Sequence, residues 1–342
     1  MNFGIDLGSS RVVIYDPARG IVLDEPSVIA VSSGSGKVIA CGEEARRMLG
    51  RTPPTIHAVH PVRNGVIADY ALAEMMLQHF LHRVCSNRIA KPCAAVSIAE
   101  DLTEVERRSF IEAVVSAGAR RVTLVPETVA AAIGADVDVS LPRGQMIVNI
   151  GGGTIDAAVL SLRGTAVSES TRSAGMAMDE AIVRYMRTQR DLIISEQMAE
   201  TLRIGVGGVL PRPQPISITA KGRDLLTGLP RSCEVSSDEL HAATREVVDE
   251  MIGVILRVLE LTPPELSGDI MEHGMRLTGG GALRYGVSEF IRMKTGIDCR
   301  VAENPAQCVA IGAGRALQYS SSFSEVYDLG DFSYHLSDSV TN

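Results

Sequence analysis

The chain has 342 residues, 45% hydrophobic and 22% charged, with a net charge of −8 at neutral pH. At roughly 150 residues per domain this predicts about two domains, each able to bury its own core. The negative balance excludes a generic binder of nucleic-acid polyanions. No run approaches the ~18 apolar residues of a membrane span, and residues 1–6 lack a secretory signal's basic and apolar regions, so a cytosolic chain is expected. Cys41, Cys85, Cys93, Cys233, Cys299 and Cys308 form no C-x-x-C pair, which points to reduced thiols and away from zinc.

In chain order, Phe3-Gly4-Ile5-Asp6-Leu7-Gly8-Ser9-Ser10 runs into the β-branched stretch 11–15, a strand, small-residue turn and strand. Gly34-Ser35-Gly36-Lys37 imitates the end of a P-loop, but Val31 stands where the first Gly belongs and Val38 where Ser or Thr would hold magnesium. Leu72, Met76, Phe80 and Val84 mark one helix face within 69–84. Thr103 and Glu106 form a capping box that opens another helix. Glu127 precedes the small-residue helix 128–134; by position alone it is a first-turn acid favoured by the helix dipole.

Residues 146–160 repeat the opening pattern, with Asn149 standing 143 residues after Asp6. A duplicated hairpin at that spacing predicts two homologous lobes, each with one Gly-rich turn. Ser236 and Glu239 form a second capping box before a long helix carrying Leu240, Val247, Met251, Val254, Val258 and Leu261, stopped by Thr262-Pro263-Pro264. Residues 319–342 are Ser-rich, acidic and aromatic without helical period. They are expected to be a flexible extension, with a docked peptide as the alternative.

Three Gly-rich turns follow apolar runs, at 6–10, 149–154 and 277–282. Glycine lets backbone approach a ligand and turn successive N–H groups inward, as a phosphate cradle requires. Gly8, Gly152 and Gly280 are expected where a Cβ would crowd that ligand. No complete G-x-G-x-x-G opens a helix after a strand, which argues against a dinucleotide site.

Taken together, these segments resemble the actin-like ATPase superfamily, and within it the bacterial MreB/Mbl cell-shape proteins. Asp6-Leu7-Gly8-Ser9 resembles the first phosphate motif, 149–154 the second and 277–283 the adenosine motif. Residues 20–28, 65–69, 222–230 and 262–266 extend the likeness, which covers residues 1 to about 318. The resemblance implies an α/β, two-lobed actin-like fold of duplicated ribonuclease-H-like domains with ATP and Mg²⁺ in the cleft between them. Its subdomains would be IA (1–28, 66–142, 310–318), IB (29–65), IIA (143–178, 247–309) and IIB (179–246).

On the family pattern, Asp6, Gly8, Ser9, Ser10 and Arg11 line one side of the nucleotide. Asp6 meets magnesium through water. Asn149, Gly151, Gly152, Gly153 and Thr154 line the other side. Asp179, Glu200 and Arg203 belong to the cofactor set, with Glu200 and Arg203 at ribose and adenine; Gly279, Gly280, Gly281 and Ala282 lie under the adenosine. Glu127 and Thr154 match the catalytic residues around the attacking water, Glu127 orienting or deprotonating it.

Four departures bear on catalysis. Asn149 replaces an Asp, removing a charge that would hold hydrated Mg²⁺. Ile155 replaces a Thr and Ala174 a Gly. Arg11 is open to two readings, phosphate contact or surface residue. A slow ATPase is the resulting expectation.

Membrane attachment by an N-terminal amphipathic helix is ruled out by the strand beginning at Phe3. The alternative loop, 83–91, offers little apolar area but carries Arg83, Arg88 and Lys91 for weak attraction to anionic lipid.

The sequence thus predicts a cytoskeletal ATP-binding protein that polymerises with itself at the inner membrane face and organises cell-wall synthesis. An MreB paralogue and membrane-bound cell-wall synthesis proteins are its candidate partners, and nucleic acid is not among them. The alternatives are a soluble actin-fold phosphotransferase and a weakly hydrolysing scaffold that co-assembles with a paralogue.

Overall fold

The computed structural model describes residues 2–85, 91–317 and 326–328. The chain forms two compact units, one of residues 1–142, 161–165 and 307–342, the other of 143–160 and 166–306.

In the first unit, β1 (Asn2–Leu7), β2 (Arg11–Asp16) and β3 (Gly20–Pro26) form an antiparallel meander. Between β3 and the next helix lie β4 (Ile29–Ser32), β5 (Val38–Cys41), α1 (Glu43–Met48), β6 (Ile56–Val59), β7 (Val62–Arg63) and β8 (Val66–Ile67). They form a three-stranded sheet, β5-β4-β6, and a two-stranded ribbon, β7-β8. α2 (Tyr70–Val84) starts where the Asp69 side chain accepts from Leu72 N, and it buries Met76, Leu77, Phe80 and Leu81 against Phe3 and Ile5 of β1. Each such side chain contributes about 1.5–3 kcal/mol.

β9 (Cys93–Ile98), α3 (Glu104–Ser116) with its capping box, β10 (Arg121–Pro126) and α4 (Glu127–Gly134) complete this unit's chain before the crossover. β9 pairs in parallel with both β1 and β10.

The second unit repeats the plan. β11 (Gln145–Ile150), β12 (Ile155–Ser161) and β13 (Gly164–Thr171) are followed by α5 (Gly175–Gln189), β14 (Leu192–Ile193), α6 (Glu196–Gly205), β15 (Ser217–Asp224) and β16 (Pro230–Ser236). After these come α7 (Ser237–Ala243), α8 (Arg245–Leu261), α9 (Pro264–His273), β17 (Met275–Thr278), a 3₁₀ turn at Gly280–Leu283, α10 (Val287–Thr295) and β18 (Cys299–Val301). The main sheet runs β13-β12-β11-β17-β18, with β17 and β18 parallel to β11. β3-β2-β1-β9-β10 has the same order and senses, so the duplicated hairpin belongs to a duplicated sheet. A smaller sheet, β14-β15-β16, has its own core of Ile182, Met186, Leu202 and Leu240.

α11 (Cys308–Ala316) returns to the first unit and packs on α4 at backbone contact. A Cβ on Gly312 would come 1.7 Å from Ala130 O, and one on Gly134 1.8 Å from Cys308 O. β19 (Val326–Asp328) pairs antiparallel with β10. Three residues of the segment expected to be a flexible extension therefore belong to a sheet; the rest of 319–342 lies outside the described residues, as do 86–90 of the expected membrane loop.

The long helix expected after Ser236 is two helices. Thr244 leaves helical geometry (φ −101°, ψ 5°), donates its hydroxyl to Leu240 O and accepts from Arg284. Leu261, expected on the buried stripe, is exposed. All six cysteines are free. Among the described residues no three His, Cys, Asp or Glu are grouped to hold a metal, and no helix is long and apolar enough to cross a membrane.

Candidate functional site

The two Gly-rich turns expected to meet phosphate close in the same way. Gly8 N donates to Arg11 O at 3.0 Å, and Gly151 N donates to Thr154 O at 2.9 Å. A Cβ on Gly8 would lie 2.9 Å from Arg11 O, and one on Gly151 3.0 Å from Thr154 O. The hairpin's own carbonyl thus demands glycine at Gly8, whatever a ligand adds. Gly280 has open space where its Cβ would go.

In the first unit, Asp6 sits opposite Val13, which sits opposite Asp24, so all three share one sheet face. Burial, with Asp24 adding to it, lifts the Asp6 carboxyl to about 7 against a weak Ser97 hydrogen bond. Ser9 Oγ accepts from Gly65 N at 2.9 Å, and Ser10 O accepts from Ser27 N at 3.0 Å. Arg11 is committed to its own sheet: Nε donates to Asp24 Oδ1 at 2.6 Å and Nη2 to Asp24 O at 2.9 Å. Gln307 also donates to Asp24, at 3.2 Å. Both arms of Arg11 are thus engaged on the strand beside its own.

Glu127 opens α4, immediately beyond the end of β10. This is the carboxyl end of the parallel strands, where open α/β sheets bind ligands.

In the second unit, Asn149 and Thr154 are both buried. Asn149 sits opposite Asp156 and accepts from Thr278 Oγ1 at 3.1 Å, which ties the 149–154 turn to the strand leading into Gly279. Met176 N donates to Gly152 O at 2.8 Å, bracing the turn on the first residues of α5. Ala174, where the family pattern has Gly, has a negative φ of −130° and so needs no glycine for its backbone. Gly279 does need to be glycine: its φ is +78°, and a Cβ would come 2.3 Å from Ile150 O. Gly281 meets Ile150 Cγ2 at the same distance, and Ala282 is buried.

Arg203 grips Asp179 with both arms, Nε to Oδ1 at 2.7 Å and Nη2 to Oδ2 at 3.0 Å. Burial nevertheless lifts the Asp179 carboxyl to about 6, with Glu200 adding repulsion. Arg203 Cζ lies 3.6 Å from where a Cβ on Gly175 would be, so this pair borders the braced turn. Asp179, Glu200 and Arg203 are therefore brought together, with Arg203 engaged by a carboxylate.

Four residues escaped the sequence. Asp156 is a fully buried acid in an apolar strand, bound by Ser170 Oγ, and that isolation was its signal. Arg284 donates to Thr244 Oγ1 at 3.1 Å, and burial pulls it down to about 10. Asp24 and Glu100 gain their roles from partners distant in sequence, Arg11 and Thr128.

The MreB/Mbl protein family profile matches residues 1–325. The cell shape-determining protein Mbl of Bacillus subtilis is 43% identical over 314 residues, 92% of this chain and 94% of that protein. The cell shape-determining protein MreB of Escherichia coli K12 is 43% identical over 323 residues, 93% of each. The crystal structure of MreB 5 of Spiroplasma citri bound to AMPPNP superposes with a TM-score of 0.88 at 31% identity, covering 94% of this chain and 96% of that one. The same protein bound to ADP also gives 0.88, at 31% identity over 93% and 96%. A MamK double helical filament subunit shares the fold, with a TM-score of 0.78 at 18% identity over 93% and 98%. With the repeated sheet, the matched turns and relatives of this similarity along nearly the whole chain, the protein belongs to the MreB/Mbl family of actin-like, cell shape-determining proteins.

Proposed function

We propose that the chain binds ATP, assembles with itself into filaments at the inner face of the membrane and organises cell-wall synthesis there, with the four-subdomain division expected from the sequence. The observation that carries nucleotide binding is the pair of phosphate turns, identically closed and 143 residues apart. The AMPPNP- and ADP-bound forms of the Spiroplasma protein support it.

On the family pattern, the turn at residues 6–10 and the turn at 149–154 would each present backbone N–H groups to phosphate, and the turn at 279–282 would face adenosine. Magnesium suits the first turn, because the single Asp6 carboxylate, completed by waters and phosphate oxygens, is the kind of ligand set that ion takes. When bound, the ion would neutralise phosphate charge. Glu127 would orient the attacking water and accept its proton at a carboxylate oxygen, and Thr154 keeps the catalytic role the family pattern gives it. Asn149 favours slow turnover.

An open filament requires a heterologous contact that repeats without closing. The second unit carries two surfaces of complementary chemistry. At the β15–β16 turn, Asp224 Oδ1 accepts from Leu226 N at 3.0 Å, Thr227 N at 2.8 Å and Thr227 Oγ1 at 3.0 Å, while Arg231 holds Oδ2 at 2.8 Å. That rigid turn presents Leu226, 81% exposed, and Leu229, 65% exposed, beside exposed Lys221 and Arg223. The α8–α9 region presents Leu261 and Met271 with exposed Glu260, Glu265 and Glu272. Apolar and basic on one copy would meet apolar and acidic on the next.

Isothermal titration of the folded protein with ATP and magnesium tests the nucleotide reading. Saturable binding is expected; none at millimolar ATP would end it.

A further inference from the structure

Glu100 stands beyond the end of β9, where Ile98 pairs with Pro126, the last residue of β10. The next residues on the neighbouring strand are Glu127 and Thr128, the first two of α4. Thr128 Oγ1 donates to Glu100 Oε1 at 2.5 Å, and Thr128 is fully buried. Burial raises the Glu100 carboxyl above its ordinary value, partly offset by this bond and by Arg107.

Helix α4 has an unusual start. Its N-cap is Pro126, which makes no side-chain cap bond, so the first turn lacks the local lock that Ser, Thr or Asp would supply. Further along, α4 is fixed by backbone contact with α11 at Ala130 and Gly134. At its first turn the tie comes from Glu100, 28 residues earlier in the chain. Glu127 is the residue covalently next to Thr128. A displaced first turn displaces its carboxylate, and a misplacement of about 1 Å at a reacting group can cost about 100-fold in rate.

We propose that Glu100 is a positioning residue for Glu127: by accepting from Thr128 it locks the first turn of α4 and so aims the carboxylate that orients the attacking water. This rests on the nucleotide-hydrolysing reading of the site. Glu100 itself moves no proton; it needs only an acceptor oxygen in place.

That requirement separates position from charge. Glu100→Gln keeps a carbonyl acceptor and Thr128→Ser keeps the donor, whereas Glu100→Ala and Thr128→Val each remove the bond. The experiment is single-turnover ATP hydrolysis at saturating ATP and magnesium, with calorimetric ATP affinity for every variant.

Glu100→Ala and Thr128→Val should each slow hydrolysis about 10- to 100-fold with ATP affinity unchanged. The double variant should be no slower than either alone, and Glu100→Gln and Thr128→Ser should stay near the wild-type rate. If the bond-removing variants do not fold, the two conservative ones still decide. A Glu100→Gln rate far below wild type overturns the inference, because charge would then be what matters. Wild-type speed in a folded Glu100→Ala overturns it too. A wild type that binds ATP without hydrolysing it defeats this inference alone; a wild type that binds none defeats the site itself.

Discussion

Thr278 donates its hydroxyl to Asn149 Oδ1 at 3.1 Å, and both residues are shut away from solvent. One bond thus ties the 149–154 turn to the strand entering the 279–282 turn, through a neutral amide where the family pattern places a carboxylate. Asn149→Asp keeps the acceptor and adds a buried charge. Without nucleotide the variant should lose about 1–3 kcal/mol of stability, seen as a lower Tm. With magnesium and ATP the loss should shrink, and single-turnover hydrolysis should accelerate. Unchanged or slower hydrolysis would show that Asn149 does not limit turnover.

Glu127→Ala should bind ATP as the wild type does and lose about 10²–10⁴ in hydrolysis rate, the usual contribution of a general base. Wild-type turnover would remove Glu127 from the chemistry.

The Asp179 carboxyl, at about 6 in the folded chain against 3.8 unexposed to the fold, gives a signed pH dependence. Its folded value lies above its unfolded one, so its contribution to stability is fully present below about pH 4. That contribution declines as pH rises through 6 and is gone above it, a span of at most about 3 kcal/mol. Arg203→Leu removes two hydrogen bonds that hold the value down, so the Asp179 midpoint should rise above 6. Carboxyl ¹³C NMR across a pH titration reads this directly; a fall would mean that the Arg203 bridge is not what favours the ionised form.

Leu226→Asp and Leu229→Asp should leave the monomer folded and ATP affinity unchanged while abolishing sedimentation of assembled protein. The turn itself is held by Asp224, so charge at the exposed positions alters only what the turn meets. Sedimentation at the wild-type level would place the copy-to-copy contact elsewhere.

Membrane association should be weak and confined to anionic lipid. Arg83, expected in the basic loop, lies in the last turn of α2 and donates to Glu25 at 2.9 Å, which engages one of the three cations expected to meet lipid. Attraction by the remainder falls off within a Debye length, about 8 Å at physiological ionic strength. Vesicle co-sedimentation should therefore vanish at high salt and with neutral lipid. Tight, salt-resistant binding to neutral vesicles would point to an apolar insertion.

The duplicated hairpin was legible because strand, turn and strand are local, and the structure adds that even the closing bonds repeat. α2 and both capping boxes were legible for the same reason. The break at Thr244 was not, because the apolar spacing runs through it while the interruption depends on Arg284, 40 residues on. The partner of Arg11 was not legible, because only β3 brings Asp24 beside it, diagonal across the ladder. Glu100 carried no local signal, since its partner becomes adjacent only when β9 and β10 align.

The central claim is a chain that binds ATP and assembles with itself, and sedimentation of the purified protein with and without magnesium and ATP, with electron microscopy of the pellet, tests it most directly. ATP should drive the protein alone into the pellet as regular filaments. Protein that binds ATP yet stays monomeric in the supernatant at every concentration would contradict it.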